Sequence, residues 1–335
     1  MAFADRIRGL SAGRLPSRQA LERLVASALD ALKAEAPELR PRDSRGRPGG
    51  LLLLPPVPTL VMPDLHGRAS FLDAALSWRP PGFGEPMREL MSAGRAQLLC
   101  LGDLFHTETG SAPRRWAAAY AEYATGWSSS RAMDEEMGLC LETLVLVLEA
   151  KRDHPKAFHY LKGNHDNIAN EEGRGDHPFY KFASEGAMVA SWFEARYGRE
   201  LLEEYRELEL ELPLLALGDR FAASHGEPAF ALGRDELVEY RSRPEVVEAL
   251  IWTRNDEAEE GSVRESLARL LGEGDEAEEA LWFAGHRPVD GRYALRARGR
   301  FVQFHDPEAW RVAFLAPGRR PDPGRDILDL PRPTR

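Results

Sequence analysis

Val61-Met62-Pro63-Asp64-Leu65-His66-Gly67 is the stretch on which the reading of this chain turns. An apolar run stops at an aspartate, and a histidine follows two positions later. Read as the C-terminal end of a β-strand, the segment puts Asp64 where α/β sheets present their ligands. On extended backbone, residues two apart face the same way, so the carboxylate and the imidazole can reach one cation.

The form recurs downstream at Gly102-Asp103, Gly163-Asn164-His165-Asp166, Ser224-His225-Gly226 and Gly285-His286. Each follows a short apolar run, and the glycines let the backbone turn beside a crowded site. Between these points strands alternate with helices. Thr59–Met62, Gln97–Leu101 and Ala157–Leu161 read as strands; Ala69–Ser77 and residues 112–125 and 133–151 read as helices. That alternation predicts an α/β layered fold. Residues 17–35 carry Leu21, Leu24, Val25, Ala28, Leu29 and Leu32 at helical spacing, which predicts an amphipathic helix packed on the main body.

After helices at Phe179–Tyr197 and Leu201–Leu208, the pattern predicts short strands at Glu209–Leu217, Arg220–Ser224, Trp282–Ala284, Arg292–Ala297, Phe301–His305 and Arg311–Leu315. Gly218-Asp219 and Arg298-Gly299 read as hairpin turns, so the second half is expected to be a mostly antiparallel sheet. The Pro- and Arg-rich tail from Pro317 is expected to be irregular.

Composition narrows the function classes. The 335 residues are 43% hydrophobic, enough for a substantial core. A net charge of −10 argues against a nucleic-acid polymer as partner. It leaves phosphorylated substrates open, because bound cations can dominate the local field. Cys100 and Cys140 sit in apolar contexts, which predicts free thiols and a reducing compartment. The apolar stretch from Leu51 to Met62 is short and broken by Pro55, Pro56 and Pro58, so no membrane span is expected. With no signal-like N-terminus, the expected location is cytoplasmic. Oxygen and imidazole donors without thiolates suit manganese, iron or zinc. A carboxylate from the middle strand could bridge two such cations about 4 Å apart, the arrangement of two-metal hydrolysis.

The ordered motif set resembles the calcineurin-like metallophosphoesterase superfamily. Ser224-His225-Gly226-Glu227, Ile251-Trp252-Thr253-Arg254 and Gly285-His286-Arg287-Pro288-Val289 are similar in form to its phosphoprotein-phosphatase branch, particularly bacterial members and symmetrical dinucleoside tetraphosphatases. The resemblance spans roughly residues 59–315. It implies a four-layer fold, two β-sheets flanked by helices. It also implies a core domain over 51–316 with a helical insertion at about 105–150, preceded by a helix and linker and followed by the tail. In the implied site, Asp64 and His66 hold one metal, Asp103 bridges, and Asn164, His225 and His286 complete the second. His165 is implied as the general acid, with Asp166 orienting it, and Arg254 as a phosphate clamp. The implied cofactors are two divalent ions, manganese first. The implied reaction is hydrolysis of a phosphomonoester or phosphoanhydride by metal-activated water, on a small molecule, nucleotide or phosphoprotein.

Two departures stand out. The branch continues Gly-Asp with a second aspartate and an arginine, where this chain has His106 and Thr107. Arg68 and Arg287 are candidate replacements for the missing arginine. Pro288 stands where the wider superfamily carries another histidine, in keeping with the phosphatase branch. His154, His159 and His177 are read as structural, and so first is His305, with a site role as its alternative because His305-Asp306 ends a strand near the expected site; the acidic runs at 256–260 and 273–279 are read as solvated faces. The competing reading is a metal-binding scaffold whose altered Gly102-Asp103-Leu104-Phe105-His106-Thr107 segment has lost catalysis.

Overall fold

The computed structural model of the chain describes residues 15–272 and 274–332. Eleven strands form two sheets among the described residues. They are β1 (Leu51–Leu53), β2 (Thr59–Met62), β3 (Gln97–Cys100), β4 (Phe158–Tyr160), β5 (Leu215–Leu217), β6 (Phe221–Ser224), β7 (Leu281–Ala284), β8 (Ala294–Arg296), β9 (Phe301–Gln303), β10 (Arg311–Leu315) and β11 (Ile327–Asp329). One sheet runs β11-β10-β2-β3-β4 and the other β1-β5-β6-β7-β9-β8.

The period-two geometry of a strand explains the layering. Along β2, Leu60 and Met62 point to a helix-covered core while Val61 points to the other sheet. Leu98 and Cys100 of β3 do the same, with Leu99 and Leu101 facing the sandwich interior. From the second sheet Phe221, Ala223, Phe283 and Val302 meet them there. Helices Ala69–Ser77 and Arg131–Asp153 cover the first sheet, and Pro244–Ile251 and Ser262–Leu271 cover the second. The result is the expected sandwich of two sheets between helical layers.

Several sequence expectations need correction. The second sheet is mixed: β6, β7 and β9 run parallel, and only the β5–β6 and β8–β9 pairs are antiparallel hairpins at the expected turns. β10 belongs instead to the first sheet, antiparallel to β2. The strand expected from Glu209 is a helix through Glu211, and β5 begins only at Leu215. Alternating Glu and Leu in 207–212 matched a strand, but every second glutamate is also on one side of a helix that Pro213 stops. The expected helix from Phe179 begins at Glu185. Within its described residues, 317–332, the tail has regular structure: Asp322 caps a short helix and β11 pairs with β10, burying Ile327. β1 and helices Met87–Ser92, Pro244–Ile251 and Ser262–Leu271 were not anticipated. Glu273, within the second acidic run, lies outside the described residues.

The helix Arg18–Lys33 starts at Ser17, whose Oγ accepts from Ala20 N–H, and buries Leu21, Val25, Ala28, Leu29 and Leu32. Cys100 and Cys140 are buried free thiols. No helix among the described residues is long and apolar enough to cross a membrane.

Candidate metal centre

The C-terminal ends of β2, β3, β4, β6 and β7 meet at one rim. There Asp64, His66, Asp103, Asn164, His225 and His286 converge from positions spread along the whole sheet sandwich. Asp103 Oδ2 is the pivot: it lies 3.5 Å from His66 Nε2 and 3.5 Å from His225 Nε2.

On one side, His225 Nδ1 donates to the Leu101 carbonyl at 2.9 Å. Burial holds this imidazole below its ordinary pKa, so Nε2 presents a lone pair. That nitrogen faces Asn164 Oδ1 at 2.9 Å and His286 Nδ1 at 3.0 Å. Asn164 Oδ1 and His286 Nδ1 are themselves 3.0 Å apart. At most one proton can sit in this triangle of three acceptors, and the remaining lone pairs repel unless a cation lies among them.

The other side is acidic. His66 Nδ1 donates to the Phe105 carbonyl at 3.1 Å, which turns Nε2 toward Asp64, Asp103 and Glu108. Burial lowers His66 to about 4 despite the pull of Glu108 and Asp64. Asp64 Oδ1 accepts from the His286 backbone N–H, but Asp64 Oδ2 is buried without any hydrogen-bond partner. Burial and the Asp64 and Asp166 charges push Asp103 well above the carboxylate range. Burial also opposes charge on Asp64, yet His305, His225 and His66 hold it below that range. Two buried carboxylates that cannot both be charged cheaply, one with an orphaned oxygen, are what a divalent cation relieves. The donor set fits divalent metal.

Backbone strain is concentrated here. His66, Asp103, His106 and His286 adopt φ of 41°, 53°, 73° and 61°, the left-handed region that these residue types enter at a cost. The flanking glycines are needed for space as well. A Cβ on Gly285 would fall 1.8 Å from Asp64 Oδ1, and one on Gly163 would fall 2.2 Å from Asp103 Oδ1. Gly285→Ala is therefore expected to displace the Asp64 carboxylate and weaken Mn²⁺ binding at least about tenfold, as loss of ligand positioning does. Metal content after dialysis checks this, and wild-type retention would count against the geometry.

The remaining expected residues divide. His165 lies at this rim, its ring 5.2 Å from His66, 4.8 Å from His106 and 4.7 Å from Phe179, with Nδ1 unpartnered. Burial, then the neighbouring His106 and His66, keep it far below its ordinary pKa. Asp166 does not orient it, which corrects the expectation. Its two oxygens accept from Tyr160 Oη and from the backbone N–H groups of Gly163, Asp103 and Leu104. Asp166 thus pins the β3 and β4 loops together from behind. Arg68 is no phosphate anchor either: its guanidinium donates to the carbonyls of Leu65, Asp64, Asp306, Pro307 and Ala309.

Thr107 is likewise occupied. Its Oγ1 and N–H donate to Glu136, and Arg115 bonds to both Thr107 and Glu136. His106 is fully buried, stacked on Trp116 at 5.1 Å and Phe182 at 5.4 Å, with Nε2 3.5 Å from Glu185. Arg254 is exposed and Arg287 half-buried, and neither guanidinium has a hydrogen bond or ion pair among the described residues. Burial and then the Arg254 charge lower Arg287, opposed by the Glu257 charge and, less strongly, by those of Asp103 and Glu108. So these two cations stand together within range of the centre.

Glu108 was not read as a site residue, and His305 was read first as structural, with a site role only as its alternative. His305 carried a usable signal, since it too follows an apolar strand. Glu108 carried none, lying in a loop five positions beyond Asp103 with no period to reveal it.

No family model matches the chain, and no curated protein matches it. Among solved structures it is similar to a protein serine/threonine phosphatase from Saccharomyces cerevisiae with similarity to human phosphatase PP5. The two share 14% identity and a TM-score of 0.56 over 95% of this chain and 91% of that one. A mutant cold-active protein tyrosine phosphatase matches at 13% identity and a TM-score of 0.47, over 84% of this chain and 82% of that one. The cold-active protein tyrosine phosphatase of a psychrophile Shewanella species matches at 12% and 0.44, over 84% and 82%. The first of these likenesses establishes a shared fold.

Proposed function

We propose that this protein is a dinuclear metal-dependent phosphoesterase that hydrolyses a phosphomonoester or phosphoanhydride. The observation that carries the reading is Asp103 Oδ2, equidistant at 3.5 Å from imidazole nitrogens of two separate donor clusters. One shared carboxylate oxygen between two lone-pair cages is the arrangement that two-metal phosphoryl hydrolysis requires. Asp64 and His66 would hold the first ion, Asn164, His225 and His286 the second, with Asp103 common to both. When bound, the ions would activate a water and offset charge on the phosphoryl group. The shared fold with a serine/threonine phosphatase agrees with a phosphorylated substrate.

The chain's own side chains supply the rest. Arg254 and Arg287 hold the non-reacting phosphate oxygens, replacing the arginine that Thr107 cannot supply. A planar guanidinium binds two such oxygens at once, and two of them side by side, with neither guanidinium in a hydrogen bond or ion pair among the described residues, favour an anion. His165 gives a proton to the leaving oxygen. It is neutral without substrate, and a bound phosphate dianion reverses that bias because negative charge nearby stabilises imidazolium. Phe179, Phe182 and Trp116 pack their rings against His165 and His106 and wall the histidine side.

With Mn²⁺ supplied, the purified protein is expected to cleave para-nitrophenyl phosphate or its bis ester. His165→Asn should lower kcat by about 10²- to 10⁴-fold, the usual contribution of a general acid, with Mn²⁺ content unchanged. A metal-loaded protein with no turnover on phosphopeptides, dinucleoside polyphosphates, cyclic nucleotides or sugar phosphates would leave only the scaffold role.

A further inference from the structure

Two side chains outside the motif set close around the acidic cluster. Glu108 Oε1 lies 3.5 Å from His66 Nε2, and Oε2 lies 3.1 Å from His305 Nε2. His305 Nε2 is in turn 3.7 Å from Asp64 Oδ2, the buried oxygen with no partner. Donors sharing a cation at roughly 2.1 Å stand about 3 Å apart in octahedral geometry and about 3.4 Å apart in tetrahedral geometry. Separations of 3.1–3.9 Å among these atoms, the shortest of them a His305–Glu108 hydrogen bond, lie close to such edges. The Glu108 and His305 side chains are buried, only 6% and 1% exposed.

We infer that Glu108 and His305 are additional ligands of the first cation, beside Asp64, His66 and Asp103. The inference rests on the proposed metal centre and deepens it. It makes the two positions unequal. The first has the Asp64 and Glu108 carboxylates as well as a share of Asp103, whereas the second adds only neutral donors, Asn164, His225 and His286. Coulomb attraction then fills the first position before the second. Five nitrogen and oxygen donors also suit a six-coordinate ion such as Mn²⁺ better than four-coordinate Zn²⁺. Lys181 reaches Glu108 Oε1 from the rim, so its ammonium competes with a cation for that oxygen.

Calorimetric titration of Mn²⁺ into the metal-free protein, with metal content after dialysis, tests this. The wild type is expected to bind in two phases separated at least tenfold in Kd. Glu108→Gln and His305→Ala should each weaken the first phase at least tenfold. Lys181→Ala should leave that phase unchanged or tighten it, and Asn164→Ala should weaken the second alone. If His305→Ala fails to fold, His305→Gln takes its place. A wild-type first phase in both the Glu108 and His305 variants overturns the inference while sparing the metal centre. So does an equal loss in Lys181→Ala and Glu108→Gln, since the ion pair would then be structural. A wild type that binds no Mn²⁺ overturns both readings.

Discussion

Asp103→Asn is expected to lower phosphoesterase kcat/KM at least about a thousand-fold, equivalent to ~4 kcal/mol of transition-state stabilisation. The reason is geometric. Asp103 Oδ2 faces both clusters, at 3.5 Å from His66 Nε2 and from His225 Nε2. An amide oxygen in its place keeps the shape but removes the charge that both cations share. Asp103 Oδ1 also accepts from the His165 backbone N–H at 2.8 Å, so an amide turned the other way would misplace His165 as well. Mn²⁺ content should fall with the rate, which separates this variant from His165→Asn. Turnover within tenfold of wild type at saturating Mn²⁺ would remove Asp103 from the centre and the two-metal reading with it.

The strand ends were legible because their signal is local. Val61-Met62 before Asp64, and Leu98 to Leu101 before Gly102-Asp103, combine a buried run with a ligand type at its end, and the rim inherits that pattern. What sequence could not show was sheet membership. β10 reads like its neighbours, yet it crosses to pair with β2, a choice made by which sandwich face Ala313 and Leu315 can fill. Asp166 shows a second limit. Its place beside His165 suggested an orienting carboxylate, but the turn sends it backward to Tyr160 and three backbone N–H groups. Adjacency in sequence fixes backbone position and leaves side-chain direction to φ and packing. Glu108 is the reverse case, remote by pattern and brought in by the chain reversal at His106, where φ is 73°.

The largest expected effect on stability lies away from the rim, at Glu35. Its carboxylate receives Arg40 at 3.0 Å and Lys151 at 2.5 Å, and all three side chains are almost fully buried. Arg40 also donates to the Gly49 and Glu211 carbonyls, and Lys151 to those of Pro155 and Phe158. The cluster thereby fastens the segment after helix Arg18–Lys33 to helix Arg131–Asp153. Glu35→Ala leaves two buried cations with no counter-charge, and breaking such a group costs about 3–5 kcal/mol. Urea unfolding at neutral pH measures it, and a loss under about 1 kcal/mol would mean the cations find other partners. The pH dependence has a definite sign. Burial opposes charge on Glu35, but Lys151 and Arg40 outweigh it and hold the folded pKa below 4.5. Its contribution is therefore complete above pH 4.5 and lost as pH falls through the folded value, a loss that Glu35→Ala should no longer show. Lys151 behaves oppositely in the variant: burial already lowers it, and without Glu35 its neutral form is favoured further. The variant should regain part of its stability as pH rises above neutral, where the unfolded lysine still binds a proton that the folded one has released.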